Sequence, residues 1–305
     1  MAVLVSGASG FLGSRLVQQL AADGYEVIAV ARRPPPSSLA SSARVRWVIR
    51  DISRDGLDLK GLPDIEAVVH LAGATLGAGK DELNFLHANE QATVRLCQAV
   101  SDRTNRFVFA SSQVVYGNAC NLRVTEEFPL HPHGSAYACS KLNSENWLRW
   151  FQHRHGGQYV ALRLCGFVDG GGIIDYLIDQ ALAGAPIELF SRGRVCRDYL
   201  PSSDGVGALI AAVRCHAAPG FLPINIGSEQ SISAHDLARI VCREVGSSSK
   251  IVLSDTAAPQ CDFVFSVERA RQLLNFQPSA LDAAIQRYAR WRQAQQSMRV
   301  GDAKN

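Results

Sequence analysis

The sequence predicts an α/β protein in which a doubly wound parallel sheet is followed by a smaller C-terminal α/β region. Its 305 residues are 47% apolar and 19% charged, which is ordinary for a globular enzyme with a sizeable core. Short apolar strands alternate with helical patterns in the first half, and a glycine-rich turn directly follows the first strand. We assign residues 1–165 to the sheet domain and 166–292 mainly to the second region, with some chain returning to the first. The polar segment 293–305 is predicted to be a disordered tail.

The apolar runs and their periodicity define six strands and three helices in the first domain. The predicted strands are Ala2–Ser6, Glu26–Ala31, Arg46–Ile49, Ala67–Leu71, Arg106–Ala110 and Gln158–Leu164. The predicted helices are Phe11–Ala22, Asn84–Ser101 and Ala136–His155. Beyond residue 165 the alternation loosens, although further helical patterns occur near Ile174–Ala183, Ser233–Gly246 and Ser266–Leu274.

The turn after the first strand has the spacing of a dinucleotide-binding turn. It reads Gly7-Ala8-Ser9-Gly10-Phe11-Leu12-Gly13. The first glycine permits a tight turn, the second a close backbone approach to a pyrophosphate, and the third close packing of helix on strand. The N-terminus of the following helix supplies free N–H groups and a positive dipole end. The sheet is therefore predicted to be Rossmann-type, with cofactor contacts at Gly7, Ser9, Gly10, Phe11, Leu12 and Gly13.

The end of the second strand indicates which dinucleotide is bound. NAD sites carry a carboxylate here for the ribose 2′-hydroxyl, whereas this strand ends in Arg32 and Arg33. Arginine pairs bidentately with phosphate, so these residues favour a 2′-phosphate and hence NADP(H), with NAD(H) as the alternative. Further cofactor contacts are expected where the third and fourth strands end, at Asp51, Ile52, Leu71, Ala72 and Gly73.

A serine, a tyrosine and a lysine have the arrangement of a proton-transfer site. Tyr137 and Lys141 are four residues apart and share one helix face, and Ser112 ends the strand that precedes this helix. Free tyrosine, with a pKa near ~10, is a poor acid at neutral pH, so we expect the Lys141 ammonium to lower the pKa of Tyr137. Ser112 is expected to hydrogen-bond the substrate oxygen. The three are the predicted catalytic residues.

These features resemble the extended short-chain dehydrogenase/reductase family of the nucleotide-sugar epimerase/dehydratase type, from Val3 to about Trp291. The other matching segments are Ala110-Ser111-Ser112-Gln113-Val114-Val115-Tyr116-Gly117, Asn89-x-x-x-Thr93, Gly193-x-x-x-Arg197-Asp198-Tyr199 and Asn225-Ile226-Gly227-Ser228. The resemblance implies that Tyr137 and Lys141 also contact the cofactor, Lys141 through the nicotinamide ribose, and that Arg197 binds a substrate diphosphate. Ser111, Gln113 and Gly166 are the other expected substrate contacts.

Departures from the family pattern reduce the number of reactions that the chain is expected to catalyse. Gln113 and Val114 stand where the 4,6-dehydratases carry an Asp-Glu pair, which argues against dehydration. Gln113 also replaces the cysteine of fucose-synthase-like epimerase-reductases, which argues against 3,5-epimerisation. Gly166 stands where an asparagine of the family usually contacts the substrate diphosphate, and the segment from Arg163 to Arg197 is short for a sugar-nucleotide epimerase. Both departures weaken the expectation that the substrate carries a nucleotide.

The leading functional hypothesis is an NADP(H)-dependent ketoreductase acting on a nucleotide-linked keto-sugar, for example a 4-keto-6-deoxyhexose. The main alternative is an NAD-dependent nucleotide-sugar 4-epimerase, which uses the same residues. Reduction of a non-sugar ketone or aldehyde is a third reading. A redox-sensing protein that only binds NADP is a fourth, although such proteins commonly lose the tyrosine or lysine that this chain keeps.

Composition and charge set the remaining expectations. The net charge of +3 is too small to indicate nucleic acid or a membrane surface as a partner, and no apolar run approaches the ~20 residues of a membrane span. The eight cysteines are scattered without metal-binding spacing, so we expect free buried thiols, no metal and a cytoplasmic location. Family resemblance implies a homodimer formed by the second and third predicted helices. Its expected apolar contacts are Leu83, Leu86, Trp147, Trp150 and Phe151.

Overall fold

A computed structural model describes residues 2–35, 42–75, 81–117, 119, 121–258 and 261–302. Its central sheet contains seven strands, all paired in parallel. These strands are β1 (Ala2–Ser6), β2 (Glu26–Ala31), β3 (Val45–Ile49), β4 (Ile65–His70), β5 (Arg106–Ser112), β7 (Gln158–Leu164) and β12 (Gly220–Ile226). Their order across the sheet is β12-β7-β5-β4-β1-β2-β3. The predicted doubly wound, Rossmann-type sheet is confirmed.

Helices cover both faces of this sheet. They are α1 (Phe11–Ala22), the single turn α2 (Ile52–Asp55), α3 (Glu82–Phe85), α4 (Ala92–Val100), α5 (Ala136–His155) and α7 (Ser202–Arg214). Alternate side chains of β1 enter opposite layers, because successive residues of a strand face opposite sides. Val3 and Val5 pack in the layer that contains α1 and α7, whereas Ala2 and Leu4 pack in the layer that contains α4 and α5.

The second region is built from short strands and four helices, and only part of it surrounds a core separate from that of the central sheet. The strands are β6 (Asn121–Val124), β8 (Gly166–Phe167), β9 (Ile187–Leu189), β10 (Cys196–Arg197), β11 (Tyr199–Leu200), β13 (Ile232–Ser233), β14 (Ile251–Leu253) and β15 (Phe263–Phe265). The helices are α6 (Ile173–Ala183), α8 (Ala234–Val245), α9 (Glu268–Leu274) and α10 (Leu281–Asp302). The strands form a four-stranded sheet, β13-β10-β15-β6, and the pairs β11-β8 and β14-β9. Strand β12 returns to the central sheet and carries Asn225 to the end of β7.

Two helical predictions differ from the structure. The helix predicted over Asn84–Ser101 begins as α3 at Glu82, passes through a π-helical turn at Leu86–Gln91 and ends with α4 at Val100. The segment predicted as a tail is helical as far as Asp302, because its alanine, glutamine and arginine residues are good helix formers that continue α10. Residues 303–305 lie outside the described part of the chain.

The cysteines also differ in part from expectation. Cys261 is disulfide-bonded, so the prediction of free thiols throughout is wrong. Cys120 lies outside the described residues. The free cysteines of the described residues are Cys97, Cys139, Cys165, Cys196, Cys215 and Cys242. Burial raises the pKa of Cys97 and Cys165, which makes both thiols unreactive.

None of the described helices is both long enough and apolar enough to span a membrane.

Candidate active site

The glycine turn forms a cradle between β1 and the end of β4. Gly7 has φ of +70°, and a Cβ added there would lie 2.6 Å from the backbone nitrogen of Ala72. A Cβ on Gly13 would overlap the carbonyl oxygen of Gly7, whose own turn is closed by the Gly10 N–H at 2.9 Å. Only glycine fits these positions. Helix α1 begins directly after Gly10, and no side chain caps its N-terminus.

A cleft of about 660 Å³ opens in front of this cradle. The predicted cofactor residues that line it are Gly7, Ser9, Gly10, Arg32, Arg33, Asp51, Ile52, Leu71, Ala72 and Gly73. Gly13 is buried behind the turn, and Leu12 packs against the core. Phe11 instead faces the second region, where its ring meets that of Phe167 at 5.6 Å between centroids.

One end of the cleft is rich in arginine. Arg32 and Arg33 follow β2, and Arg50, which sequence reasoning missed, follows β3 and also lines the cleft. All three side chains are exposed, and none of them makes an ion pair within 4.0 Å to a described carboxylate. Arg50 could have been found from its position directly before Asp51 at the end of a strand. This end therefore presents positive charge to a ligand.

Asp51 is the carboxylate at the same end. Burial by itself would raise the pKa of Asp51, but hydrogen bonds from Ser53 and the positive charge of Arg32 lower it overall. The carboxylate accepts from the Ser53 backbone N–H at 3.0 Å and from its hydroxyl at 2.6 Å, and so caps α2. Asp51 is therefore ionised at neutral pH and held by its own turn.

The π-helical turn places Asn89 beside the end of β4. Its Oδ1 accepts from the Ala74 N–H at 2.7 Å, and its Nδ2 donates to Ser140 Oγ at 2.8 Å. A Cβ on Gly73 would lie 2.8 Å from Asn89 Oδ1, so Gly73 is small because this asparagine occupies the space. Asn89 thus ties the floor of the cleft to α5. Its only sequence signal is the Asn89-x-x-x-Thr93 spacing.

Beneath the cleft, His70 is buried and neutral. Burial and the charge of Lys141 lower the pKa of His70 to about 3. The Thr93 hydroxyl donates to the Asn89 carbonyl at 2.7 Å, so it accepts from His70 Nε2 at 3.0 Å. His70 Nδ1 then accepts from the Ser6 hydroxyl at 2.6 Å. The ring is a structural link between β1, β4 and α4.

Ser112, Tyr137 and Lys141 come together where β5 ends and α5 begins. The Ser112 hydroxyl lies near enough to the Tyr137 hydroxyl to act on the pKa of the phenol. Lys141 Nζ donates to the Ala110 carbonyl at 2.8 Å and lies 4.7 Å from the ring centroid of Phe109. Burial lowers the pKa of Lys141 to about 8, against a raising effect of Glu145. Lys141 is therefore still mainly protonated at pH 7.

The expected lowering of the Tyr137 pKa is wrong for this structure. Burial raises the pKa of Tyr137, and the neighbouring Ser112 hydroxyl offsets only part of that increase. Lys141 Nζ lies 5.9 Å from the centre of the tyrosine ring, and its hydrogen bond goes to a backbone carbonyl. Tyr137 is therefore a protonated phenol at neutral pH, which is the form that donates a proton.

Ser111 does not reach the cleft. Its side chain is buried and its hydroxyl donates to Glu145 Oε1 at 2.6 Å, so its predicted substrate contact is not supported. The reason is that Glu145, which lies one helical turn beyond Lys141, is fully buried and needs hydrogen-bond donors. Glu145 was not singled out from the sequence, because a glutamate in a polar helix is ordinarily exposed.

The other predicted substrate residues have distinct surroundings. Gln113 Oε1 is buried and has no hydrogen-bond partner among the described residues. The backbone of Gly166 pairs with that of Tyr199, and a Cβ added to the glycine would lie 3.3 Å from the tyrosine ring.

Arg197 donates from Nη1 to the Cys261 carbonyl at 2.9 Å and lies over the Phe263 ring. It makes no ion pair within 4.0 Å in the described structure, and burial lowers its pKa.

A nucleotide cofactor fits this arrangement. A Cβ is excluded at Gly7 and Gly13, the cleft continues to a cationic end, and Lys141 Nζ lies 3.8 Å from where a Cβ of Gly73 would be. No group of three or more histidine, cysteine, aspartate or glutamate side chains in the described structure is placed to hold a metal ion.

The fold and site define an NAD(P)-dependent enzyme of the oxidoreductase/epimerase type. The chain belongs to the NAD-dependent epimerase/dehydratase family, whose model matches residues 3–227. It is 28% identical to a dTDP-4-dehydro-6-deoxy-D-allose reductase of a Streptomyces species, over 95% of each chain. It is 25% identical to a putative UDP-glucose 4-epimerase of Methanocaldococcus jannaschii, over 95% of this chain and 97% of that one.

A solved structure extends the comparison. The UDP-glucuronic acid 4-epimerase from Bacillus cereus, in complex with NAD, superposes with a TM-score of 0.82 at 26% identity. The match covers 95% of this chain and 99% of that chain. Both chains therefore share the whole architecture, including the second region.

The buried Lys141 predicts a specific pH dependence of stability. Its pKa is about 8 when folded against 10.5 as the ordinary value, so the unfolded chain binds more protons above pH 8 and stability rises there. A Lys141→Met variant lacks this rise. We expect the free energy of unfolding of the variant, relative to wild type, to fall by about 2 kcal/mol between pH 7 and 9.5. Urea titrations of both proteins at a series of pH values measure this difference, and a constant difference would contradict it.

Proposed function

We propose that the protein is an NADP(H)-dependent ketoreductase acting on a nucleotide-linked keto-sugar, such as a 4-keto-6-deoxyhexose. The observation that carries this proposal is the cationic end of the cleft, where Arg32, Arg33 and Arg50 make no ion pair within 4.0 Å to a described carboxylate and outnumber Asp51, the carboxylate that lines the same cleft. A 2′-phosphate carries up to two negative charges and accepts bidentate hydrogen bonds from guanidinium groups. Net reduction suits an exchangeable NADPH. The relative named as a dTDP-4-dehydro-6-deoxy-D-allose reductase supports the same reading.

The residues beyond Gly73 have the roles of a carbonyl reduction site. A bound NADPH would supply the hydride. Tyr137 donates the proton to the forming alkoxide, which is a much stronger base than a phenolate and so takes the proton even from a phenol whose pKa is raised. Ser112, whose hydroxyl lies beside Tyr137, donates a hydrogen bond to the carbonyl oxygen and orients it toward the phenol. Lys141 contacts the nicotinamide ribose and supplies positive charge beside the reacting oxygen.

Two further residues are proposed to bind the substrate. Arg197 makes no ion pair within 4.0 Å in the described structure, although the charges of Asp198 and Asp262 act on it, and a diphosphate would replace the water that its guanidinium loses on burial. Gln113 carries a buried, unpartnered acceptor next to Ser112, which a sugar hydroxyl can satisfy. Gly166 leaves room for the ring of Tyr199, so we propose that its role is close packing at the substrate region.

A nucleotide-sugar 4-epimerase is the second candidate. The structural relative from Bacillus cereus is a UDP-glucuronic acid 4-epimerase in complex with NAD, and the serine, tyrosine and lysine serve both reactions. Such an enzyme retains its NAD⁺ through the cycle. Protein purified with tightly bound NAD⁺, and without net NADPH consumption on a ketone, would favour this candidate.

We also propose that the protein is a homodimer. Leu83 and Leu86 on the segment before α4, and Trp147 and Trp150 on α5, are exposed apolar side chains on neighbouring helices. Phe151, expected to belong to this surface, is 3% exposed and packs in the core instead.

If the dimer forms through these exposed apolar side chains, charged residues in place of Trp147 and Trp150 should separate the subunits. We expect a Trp147→Glu/Trp150→Glu variant to elute as a folded monomer, because each glutamate would be buried against apolar surface. Light scattering after size-exclusion chromatography measures the mass. Trp291→Glu on α10, where the tryptophan is 54% exposed, is the matched control and should leave the mass unchanged. A dimeric double variant would refute this interface.

The cofactor proposal predicts a change of preference on loss of the arginines. We expect wild type to bind NADPH more tightly than NADH, and an Arg32→Ala/Arg33→Ala variant to lose about 10- to 100-fold in NADPH affinity with little change for NADH. Fluorescence titration measures both constants. Arg44→Ala is the control, since Arg44 pairs with Glu26 outside the cleft. Equal affinities in wild type would favour the epimerase.

The catalytic proposal predicts separate effects on chemistry and cofactor binding. A Tyr137→Phe variant should lose at least about 100-fold in kcat, because the proton donor is gone, and should still bind NADPH. The assay follows NADPH oxidation with a dTDP-linked 4-keto-6-deoxyhexose as the substrate. Retained turnover would exclude Tyr137 as the acid.

A further inference from the structure

We propose that Glu145, paired with Arg163, is a positioning residue that holds Ser112, Tyr137 and Lys141 in register. It does so by fastening α5 to the two strands that lie beneath it. This inference rests on the proposed function, because the three side chains that it positions act in that reaction.

The first observation is the spacing on α5. Tyr137, Lys141 and Glu145 are each four residues apart, so they lie on one face of the helix. Lys141 is 6% exposed and Glu145 is 0% exposed. Two ionisable side chains are therefore buried on the helix face that carries the tyrosine, about one and two turns beyond it.

The second observation is that two successive residues of β5 bond to this face and the third lies beside it. The Ala110 carbonyl accepts from Lys141 at 2.8 Å. The Ser111 hydroxyl donates to Glu145 at 2.6 Å, and the hydroxyl of the next residue, Ser112, is near enough to Tyr137 to lower the pKa of the phenol. A shift of α5 along β5 would break both bonds and move Tyr137 away from Ser112, so the two bonds fix the register of Tyr137 against Ser112.

The third observation is the partner of Glu145. Its carboxylate accepts from Arg163 Nε at 3.0 Å and from Nη2 at 2.7 Å, and Arg163 is 1% exposed on β7. A two-point arginine–carboxylate contact fixes direction as well as distance. Because β5 and β7 are paired, the glutamate is bound to both strands at once.

The arginine is anchored in turn. Its Nη1 donates to the Tyr116 hydroxyl at 2.8 Å, which donates to Asn225 Oδ1 at 2.7 Å on β12. Asn225 Nδ2 donates to the Val124 carbonyl at 3.0 Å. A satisfied buried network of this kind is rigid, since each member loses its partner if another one moves.

Glu145 also acts on Lys141 through its negative charge. Burial lowers the pKa of Lys141, and the negative charge of Glu145 opposes that effect. The other titratable groups around this face are Tyr137 on α5, the neutral His70 on β4, Arg163 beyond Glu145, and Glu90, which accepts from Asn143. Removing the Glu145 charge therefore leaves Lys141 a weaker base.

Two variants test the inference. Glu145→Gln keeps the shape and removes the charge, and Ser111→Ala removes only the hydroxyl bond between β5 and Glu145. We expect both to lose about 10- to 100-fold in kcat because the reacting groups are displaced, with KM for the keto-sugar within about twofold of wild type. Ser144→Ala is the matched control, since it deletes another buried α5 hydroxyl that bonds the Ser140 carbonyl instead, and it should retain wild-type kcat.

A second readout does not depend on turnover. NADPH affinity, measured by fluorescence against pH, should weaken at alkaline pH as Lys141 loses its proton. In Glu145→Gln this weakening should begin at lower pH than in wild type, because the missing negative charge lowers the pKa of Lys141. A role in stability alone would leave this transition in place.

The outcomes separate the two proposals. If Tyr137→Phe loses turnover but Ser111→Ala and Glu145→Gln keep wild-type kcat and pH dependence, the positioning role is overturned and the proposed function stands. If Tyr137→Phe keeps turnover, the proposed function fails first. If Glu145→Gln does not fold because Arg163 is left unpaired, Ser111→Ala decides the question by its kcat against that of Ser144→Ala.

Discussion

The burial of two ionisable side chains on one face of α5 is the constraint on which the site depends. A charged group in the interior is costly unless partners replace the water that it loses. Lys141 finds the Ala110 carbonyl and the Phe109 ring, and Glu145 finds Arg163 and Ser111. These partners occur together only where β5 ends beside β7. The helix therefore has one position in which its polar face is satisfied, and that position brings Tyr137 to Ser112.

The cofactor end and the catalytic end of the site are shaped by different physical features. At the cofactor end the structure depends on missing side chains, since any Cβ at Gly7 would contact the backbone of Ala72. At the catalytic end it depends on satisfied polar groups. Asn89 joins the halves, because its amide bonds both the Ala74 N–H and the Ser140 hydroxyl. The π-helical turn that contains it adds the residue needed to point this side chain inward, a use typical of functional sites.

Much of the fold could be predicted from the sequence, because it depends on local patterns. Apolar runs gave the bounds of β1, β2 and β7, and helical periodicity gave those of α1 and α5. The π-helical turn was missed because periodicity does not register one extra residue in a turn that Asn89 holds through tertiary bonds. The continuation of α10 to Asp302 was missed because polarity was given more weight than helix propensity.

In the candidate site, residue types were easier to predict than their environments. The glycine turn and the two arginines after β2 could be recognised because each lies where its strand ends, which is where a parallel sheet binds its ligands. Glu145 and the pKa of Tyr137 could not be predicted, because both depend on burial against distant segments. Asn225, for instance, reaches the Arg163 network from β12, the last strand of the central sheet. The spacing of residues within α5 cannot predict a contact with a residue on β12.

The reactions that remain to be distinguished share one catalytic arrangement. A reductase and a 4-epimerase both transfer hydride at a carbonyl whose oxygen meets a tyrosine, so the proposed catalytic residues Ser112, Tyr137 and Lys141 would serve either. The difference lies in how the cofactor is held, since an epimerase must regenerate its cofactor in place and a reductase must release it. The discriminating charges are therefore at the opposite end of the cleft, where Arg32, Arg33 and Arg50 are exposed to solvent. A 2′-phosphate bound at such an exposed rim can dissociate with the cofactor, which is what net reduction requires.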